Sequence, residues 1–294
     1  MEARESKRNF AANRLFNVHG KVALISGGGS GIGLMAAQTL AANGAKVYIT
    51  GRTSEKLDRA VELYSEAPGQ IVPIAADVTS KDSIKSLLQQ FSAKEKALHI
   101  LINNAGITTS YQNTELRDPS DLSRELFENE KSTFDEWDRS FRSNVSQVFF
   151  MTTAFLPLLQ KGTELDHGWS STVINISSVS GIIKVSQHHF PYNASKAAAV
   201  HLTKMLAHQI VSSGLQIRVN SIAPGVFPSE MTVQVSEKQE SVIPKEQYEG
   251  KVPAGRPGNE EDMASVVLFA ATNQYLNAQT LAVDGGYILA AGSF

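Results

Sequence analysis

The sequence predicts an α/β fold: a doubly wound parallel β-sheet of about seven strands with helices on both faces. Three observations carry this expectation. Short β-branched, apolar runs recur along the chain; most are continuously apolar rather than alternating; and the segments between them carry helical periodicity. A strand covered on both faces needs no polar side, so continuous apolar runs point to a sheet held between helices. Alternating strands and helices at this spacing imply parallel strands joined by right-handed crossovers.

In chain order, strands are expected at Val22–Ser26, Lys46–Thr50, Ile71–Ala75, His99–Asn103, Thr172–Ser177, Gln216–Ile222 and Thr280–Val283. After the first strand, Leu34, Ala37, Leu40 and Ala41 share one helical face. Ile84, Leu87, Leu88 and Phe91 do the same after the third. Long helices are expected near 134–160 and 193–213. No repeat, low-complexity tract or Pro/Ser-rich linker divides the chain. Residues 18–294 therefore read as one domain, preceded by an N-terminal arm over residues 1–17. Two poorly periodic polar segments, 108–133 and 226–253, follow strands. Loops beyond the carboxyl ends of strands border the ligand crevice in such sheets. Both segments are candidate substrate walls, with surface decoration as the alternative.

Composition narrows the function classes. The chain has 294 residues, 42% of them hydrophobic, which allows a sizeable core. Its 27 basic and 29 acidic side chains give no electrostatic footprint for nucleic acid or a membrane surface. The absence of cysteine excludes disulfides, thiol nucleophiles and cysteine-ligated metals, and no HExxH pattern occurs, so no metal site is expected. The most apolar stretch, Val145–Leu159, is broken by Ser146, Gln147, Thr152, Thr153 and Pro157, short of the ~18 apolar residues of a membrane span. The start lacks an apolar signal-peptide core. A cytoplasmic protein is expected. A mitochondrial presequence is the alternative, with Glu2 and Glu5 against it.

The first chemical signal is Ser26-Gly-Gly-Gly-Ser-Gly-Ile-Gly33, which lies between a strand and a helix. Glycines let the backbone turn sharply and approach a pyrophosphate, whose charge is met by amides at a helix N-terminus. Gly27, Gly29, Ser30, Gly31, Ile32 and Gly33 are therefore candidate cofactor contacts; a plain Gly-rich turn is the bland reading. The second strand ends Thr50-Gly-Arg52-Thr53, with no acid to hold a ribose 2′-hydroxyl. Arg52 would instead pair with a 2′-phosphate, which points to NADP(H) rather than NAD(H). A solvated Arg52 beside Glu55 is the alternative. Asp77 could accept from an adenine amino group or form a turn. Asn103-Asn-Ala-Gly106 ends the fourth strand, where small residues allow close passage of a cofactor and Asn side chains can stitch loops together.

The sharpest constellation is Tyr192-Asn-Ala-Ser-Lys196. Positions i and i+4 share a helical face, which sets a phenol beside an ammonium. A free phenol, with a pKa near ~10, is a poor acid or base at neutrality, and a neighbouring cation lowers that value. Upstream, Asn175-Ile-Ser-Ser178 offers a hydroxyl to hold a substrate oxygen. Asn144 reads either as functional or as a cap or core hydrogen-bonding residue.

These motifs together resemble the common, single-domain form of the short-chain dehydrogenase/reductase family, from about Val18 to Tyr287. The resemblance rests on Gly27, Gly31 and Gly33, Asp77-Val78, Asn103-Asn-Ala-Gly106, Asn144, Ser178, Tyr192, Lys196, Pro224-Gly225, Gly255-Arg-x-Gly258 and Val283-Asp-Gly-Gly286. It implies a Rossmann fold and direct hydride transfer between nicotinamide and a substrate carbon. Tyr192 would be the general acid or base. Lys196 would hold the nicotinamide ribose and tune Tyr192. Ser178 would bind the reacting oxygen, with Ser177 as the fallback, and Asn144 would anchor a water relay. Asp77 and Val78 would border adenine. Asn104, Ala105 and Gly106 would border the cofactor, and Pro224, Gly225, Val226 and Ser229 would pass the nicotinamide.

The sequence departs from the family pattern in places. Ser26 replaces the usual Thr. Ser30 stands where NADP-preferring members often carry a base, which leaves Arg52 as the main support for NADP(H). The Ser178–Tyr192 interval is one residue longer than is common, so Gln187-His-His-Phe190 is expected to bulge. His188 and His189 read as substrate contacts or as solvated side chains. The expected reaction interconverts a ketone and a secondary alcohol on a small, neutral or apolar substrate. The acidic 108–133 segment offers no cationic landing site for an acyl carrier protein or coenzyme A. A nucleotide-binding sensor or partner protein without redox turnover is the alternative, and a sugar-nucleotide epimerase or dehydratase is a third reading. A homodimer or homotetramer built on the two long helices is expected.

Overall fold

The computed structural model describes residues 10–64, 67–229, 231–232, 234–235 and 241–292. Residues 1–9 of the expected N-terminal arm and part of the 226–253 segment lie outside them. In chain order the strands are β1 (Val22–Ser26), β2 (Lys46–Gly51), β3 (Gln70–Ala75), β4 (Ile100–Asn103), β5 (Thr172–Ile176), β6 (Arg218–Pro224), β7 (Gln234–Val235), β8 (Ser241–Val242) and β9 (Thr280–Val283). Seven of them form one parallel sheet in the order β3-β2-β1-β4-β5-β6-β9, while β7 and β8 pair antiparallel on their own. The sheet reverses its winding between β1 and β4, and such a switch point opens a crevice at the carboxyl ends of the strands.

The helices are α1 (Ala12–Leu15), α2 (Gly31–Ala42), α3 (Ser54–Leu63), α4 (Lys81–Ser92), α5 (Pro119–Ser123), α6 (Phe134–Phe141), α7 (Gln147–Leu165), α8 (Phe190–Ser212), α9 (Glu260–Thr272) and α10 (Tyr287–Ala291). Two cores explain the continuous apolar strands. On one face, Ala23, Ile25, Val47 and Ile49 pack with Ala37, Leu40, Leu57, Met263 and Val267 of α2, α3 and α9. On the other, Leu24, Tyr48, Leu101 and Val173 pack with Leu87, Phe91, Phe155 and Ile210 of α4, α7 and α8. Successive strand residues point to opposite faces, so both must be apolar.

Strand boundaries shift for physical reasons. The sixth strand starts at Arg218 rather than Gln216, because the Gln216 amide is tied to the Gln160 side chain. It continues to Pro224 because Ala223 and Pro224 pair with Ala282 and Val283. The buried Arg218 guanidinium donates to the carbonyls of Ala270 and Ala271, which end α9, and to Ser170. Positive charge there is favoured by the helix dipole.

The 108–133 segment is more ordered than its composition suggests. Asp118 caps α5, which runs on as a π-helical turn over Arg124–Glu128. A second π turn, Arg142–Ser146, joins α6 to α7 and carries the buried Asn144. Such turns insert a residue into a helix and often occur at functional sites. No helix among the described residues is long and apolar enough to cross a membrane.

Candidate active site

A cleft of about 540 Å³ opens at the carboxyl ends of the strands. Its first wall is the turn from β1 into α2. The amides of Gly27 and Gly28 donate to the Thr50 carbonyl, which fastens the turn to β2. Gly31 has φ +52°, a conformation that strains a residue with a side chain. Gly33 is required by packing, since a Cβ there would lie 2.2 Å from the Gly27 carbonyl oxygen. The opening amides of α2 thus approach the cleft as an anion-binding edge.

The turn is stitched to the loop after β4. Ser26 Oγ accepts from the amides of Asn104 and Ala105, at 3.0 and 3.1 Å. Asn104 Nδ2 donates back to the carbonyls of Ser26 and Gly27. A serine at position 26 therefore does the structural work of a hydroxyl. Asn103 points into the core and donates to Thr152 and Asn175.

At one end of the cleft stand Arg52, Thr53, Lys56, Asp77 and Val78. Asp77 Oδ1 accepts from the Thr79 amide and hydroxyl. Burial pushes this carboxyl up, but the Thr79 hydrogen bonds and the Arg52 charge outweigh it and hold the pKa below its usual value. Lys56 was not legible as a cleft residue in the sequence, where it is one cation on an amphipathic helix.

At the other end stand Tyr192 and Lys196. Helix α8 begins at Phe190, so both lie in its first turns, with Lys196 Nζ 5.7 Å from the centre of the Tyr192 ring. Lys196 is buried, and its ammonium donates to the Ile176 carbonyl at 3.0 Å. Burial pushes its pKa down to about 8. Burial also raises the Tyr192 phenol above its usual value, while a hydrogen bond with Ser178 acts in the opposite direction.

The two serines after β5 are separated by their orientation. Ser177 Oγ is engaged with Ser221 Oγ at 2.7 Å and the Ile222 carbonyl. Ser177 lines the cleft and Ser178 does not, but Ser178 acts on the Tyr192 phenol. Asn144 lies behind the cleft: its amide exchanges two hydrogen bonds with the Ile107 backbone and donates to Ser195. A Cβ on Gly106 would lie 2.9 Å from Asn144 Oδ1 and 3.6 Å from Lys196 Nζ, so that glycine separates the two side chains.

Among the other expected contacts, Gly27, Gly29, Ser30, Gly31, Ile32, Asn104, Ala105, Gly106 and Ser229 line the cleft. Ser229 crosses the glycine turn, with its Cβ 3.1 Å from a Cβ built on Gly31. Pro224, Gly225 and Val226 do not line it. Gly225 packs on Asp284, and Val226 borders a second cavity of about 100 Å³. His188 and His189 are half-buried and do not line the cleft. Their ring nitrogens meet Thr114, Gln112 and Ser110, and Tyr111 stacks on His188 with ring centres 4.6 Å apart.

Residues 21–240 match the family model described as short chain dehydrogenase. The chain belongs to the short-chain dehydrogenase/reductase family. It is 36% identical to short-chain dehydrogenase/reductase PhomF of Diaporthe leptostromiformis, covering 92% of each chain. It is 34% identical to the rhamnolipids biosynthesis 3-oxoacyl-acyl-carrier-protein reductase of Pseudomonas aeruginosa, covering 93% of this chain and 98% of that one. The Pseudomonas aeruginosa RhlG/NADP active-site complex superimposes with a TM-score of 0.78 at 32% identity, over 93% of this chain and 98% of that one. As a short-chain dehydrogenase/reductase, the chain is an oxidoreductase of a family that binds a nicotinamide cofactor. Its own residues fit such a group: a glycine turn that a Cβ would strain or block, a helix N-terminus, and a phenol and a buried ammonium at the far end of one cleft.

Proposed function

We propose that this protein uses NADP(H) to interconvert a ketone and a secondary alcohol on a small, neutral or apolar substrate. The observation that carries the reading is that one cleft joins Arg52 and Lys56 at one end to Tyr192 and Lys196 at the other. Arg52 and Lys56 are cations of the cleft wall that would meet a 2′-phosphate, and Asp77, Val78 and Thr79 would border the adenine. The α2 edge, with Ser229 beside it, would hold the pyrophosphate. Lys196 holds the nicotinamide ribose.

The bound cofactor supplies or accepts the hydride. Ser178 and Tyr192 together hold the substrate oxygen. In reduction, the Tyr192 hydroxyl gives its proton to that oxygen; in oxidation, the phenolate removes it. Lys196, whose burial disfavours its charge, releases its proton more readily than an exposed lysine. It is thus suited to pass a proton inward from a water relay anchored at Asn144.

The names of relatives supply a competing substrate class, a 3-oxoacyl group on a carrier protein. The 108–133 segment mixes exposed Glu115, Asp118 and Glu128 with exposed Arg117 and Lys131, and pairs Asp121 with Arg124, so it offers no concentrated cationic surface to an anionic carrier. A homodimer or homotetramer is supported by Phe149 on α7 and Met205 and Val211 on α8, which are apolar and exposed.

The experiment is NADPH consumption with a panel of ketones and acyl thioesters, run beside Tyr192→Phe. Turnover of a free ketone that disappears in the variant supports the reading. Turnover only with a carrier-bound thioester reassigns the substrate. NADPH binding without Tyr192-dependent turnover of any substrate favours the nucleotide-binding sensor.

A further inference from the structure

The loop between Ser178 and Tyr192 carries two consecutive non-glycine residues in the left-handed region, Gln187 at φ +50° and His188 at φ +67°. Residues with a Cβ occupy that region at a cost, and they persist there when their surroundings hold them. Both residues here are held. The Gln112 amide donates to the His188 carbonyl at 2.9 Å, and the His188 ring is fixed by Tyr111 and Thr114. The Gln187 side chain is fixed at both ends of its amide. Oε1 accepts from Ser180 Oγ at 2.5 Å, and Nε2 donates to Tyr287 OH at 3.0 Å.

Ser180 belongs to the 3-10 turn Val179–Gly181 that follows Ser178, and its backbone N–H donates to Ser178 Oγ at 3.1 Å. A serine hydroxyl has one proton and two lone pairs. The Ser180 amide occupies one lone pair and so limits how the rest can be shared between Tyr192 and a substrate oxygen. The chain of contacts therefore runs from Tyr287, on the C-terminal helix α10, through Gln187 and Ser180 to Ser178. Tyr287 is itself buried in a small cluster with Val179, Ile183 and Val252, which gives the far end a rigid anchor.

We propose that Gln187 is a positioning residue for the reaction: its amide bridges Ser180 to Tyr287 and sets the direction of the Ser178 hydroxyl. The strained loop is kept because glutamine at this backbone position is the group that reaches both partners. This inference rests on the proposed role of Ser178 in holding the reacting oxygen.

The test compares Gln187→Gly, Gln187→Glu, Tyr287→Phe and the unaltered protein. Glycine suits φ +50° and removes the bridge, so stability should hold or rise while function falls. We expect kcat to fall roughly tenfold or more, since small misplacements of a reacting group carry large rate costs, with NADPH binding unchanged. Glutamate keeps an acceptor for Ser180 and can accept from Tyr287 OH, so it should recover most of the rate. Tyr287→Phe should lower kcat less than glycine does. A rate for Gln187→Gly within twofold of the unaltered protein would overturn the proposal, as would a loss matched by an equal fall in thermal stability.

A second readout needs no substrate. Tyrosine labelled with carbon-13 at the ring carbon bearing the hydroxyl reports hydrogen bonding at each phenol, with Tyr192 and Tyr287 assigned from their Phe variants. Loss of Gln187 should move both signals. Movement of Tyr287 alone would show a merely structural bridge and sink the proposal. Movement of both in a protein without Tyr192-dependent turnover would leave the positioning intact and reject the proposed function instead.

Discussion

Asn144 and Ser195 are joined by a hydrogen bond of 2.9 Å between Nδ2 and Oγ, and Ser195 Oγ in turn donates to the Tyr192 carbonyl at 2.7 Å. The π turn that carries Asn144 is thereby tied to the start of α8. Asn144 also exchanges hydrogen bonds with both backbone groups of Ile107. Replacing Asn144 by Ala leaves several buried groups without partners, at about 1–3 kcal/mol for each unsatisfied group. Urea denaturation should show a loss in that range or above, and turnover should fall with it. Asn144→Asp keeps the acceptor for the Ile107 amide but sets oxygen against the Ile107 carbonyl, so it should not restore stability.

Ser178→Ala should change the pH dependence of turnover in one direction. In the native protein the Ser178 hydrogen bond acts to lower the Tyr192 pKa against the upward effect of burial. Removing it leaves burial unopposed, so the phenol pKa rises. In the proposed mechanism alcohol oxidation needs the phenolate, so its kcat/KM profile should move to higher pH. Ketone reduction needs the protonated phenol and should persist to higher pH. Profiles of kcat/KM in both directions check the sign, and a shift toward lower pH would contradict the assignment.

How far the site could be read from sequence depended on whether its parts are local. Tyr192 and Lys196 were legible because four residues of spacing fix their relation on any helix. The glycine turn was legible because its position between a strand and a helix decides its geometry. Ser177 and Ser178 could not be told apart in sequence, since both follow β5 and their partners, Ser221 for one and the Ser180 amide for the other, are set by the folded turn. Asn144 was legible as a candidate, but the π turn that carries it was not, because such a turn adds no mark to the apolar period. Lys56 looked like any solvated lysine on α3. The extra residue between Ser178 and Tyr192 was visible as a length. Its left-handed backbone and its link to Tyr287 depend on contacts about a hundred residues away in sequence.

Arg52 and Lys56 should set cofactor preference together. On the proposed NADP(H) reading each exposed cation would meet the 2′-phosphate, so each single change to Ala should weaken NADPH binding by roughly tenfold, within the range of a charge-assisted hydrogen bond. NADH lacks that phosphate, so its affinity should stay nearly constant. Fluorescence titration with both cofactors checks this. Equal losses for NADPH and NADH would show that the two side chains only support the loop, and tighter binding of NADH by the unaltered protein would reject the NADP(H) assignment.

Arg218 should matter for stability rather than for chemistry. Its guanidinium supplies hydrogen bonds to the carbonyls of Ala270 and Ala271 in a buried setting. Arg218→Ala removes donors from two carbonyls and opens a cavity, a loss of about 2–5 kcal/mol. Lys reaches the same region with a single ammonium and cannot reproduce the fork, so Arg218→Lys should recover only part of it. Thermal denaturation reads the loss, and NADPH affinity measured well below the transition should be unchanged.

His99 gives the fold a defined acid sensitivity. Its Nδ1 accepts from the Val22 amide at 3.1 Å, which requires that nitrogen to be unprotonated. Burial, followed by the nearby Lys21 charge, pushes its pKa down to about 4, against a weaker upward pull from Glu95. The folded pKa therefore lies below the unfolded value of roughly 6.5. Between these two values the unfolded chain binds more protons than the folded one, so stability falls as pH drops through this window. Above it the contribution is constant. His99→Gln can offer an oxygen to the Val22 amide without a titrating group. The melting temperature of the unaltered protein should fall more steeply between pH 6.5 and pH 4 than that of His99→Gln, and the two slopes should agree above pH 7. Parallel curves across the whole range would show that His99 keeps its ordinary pKa in the folded protein.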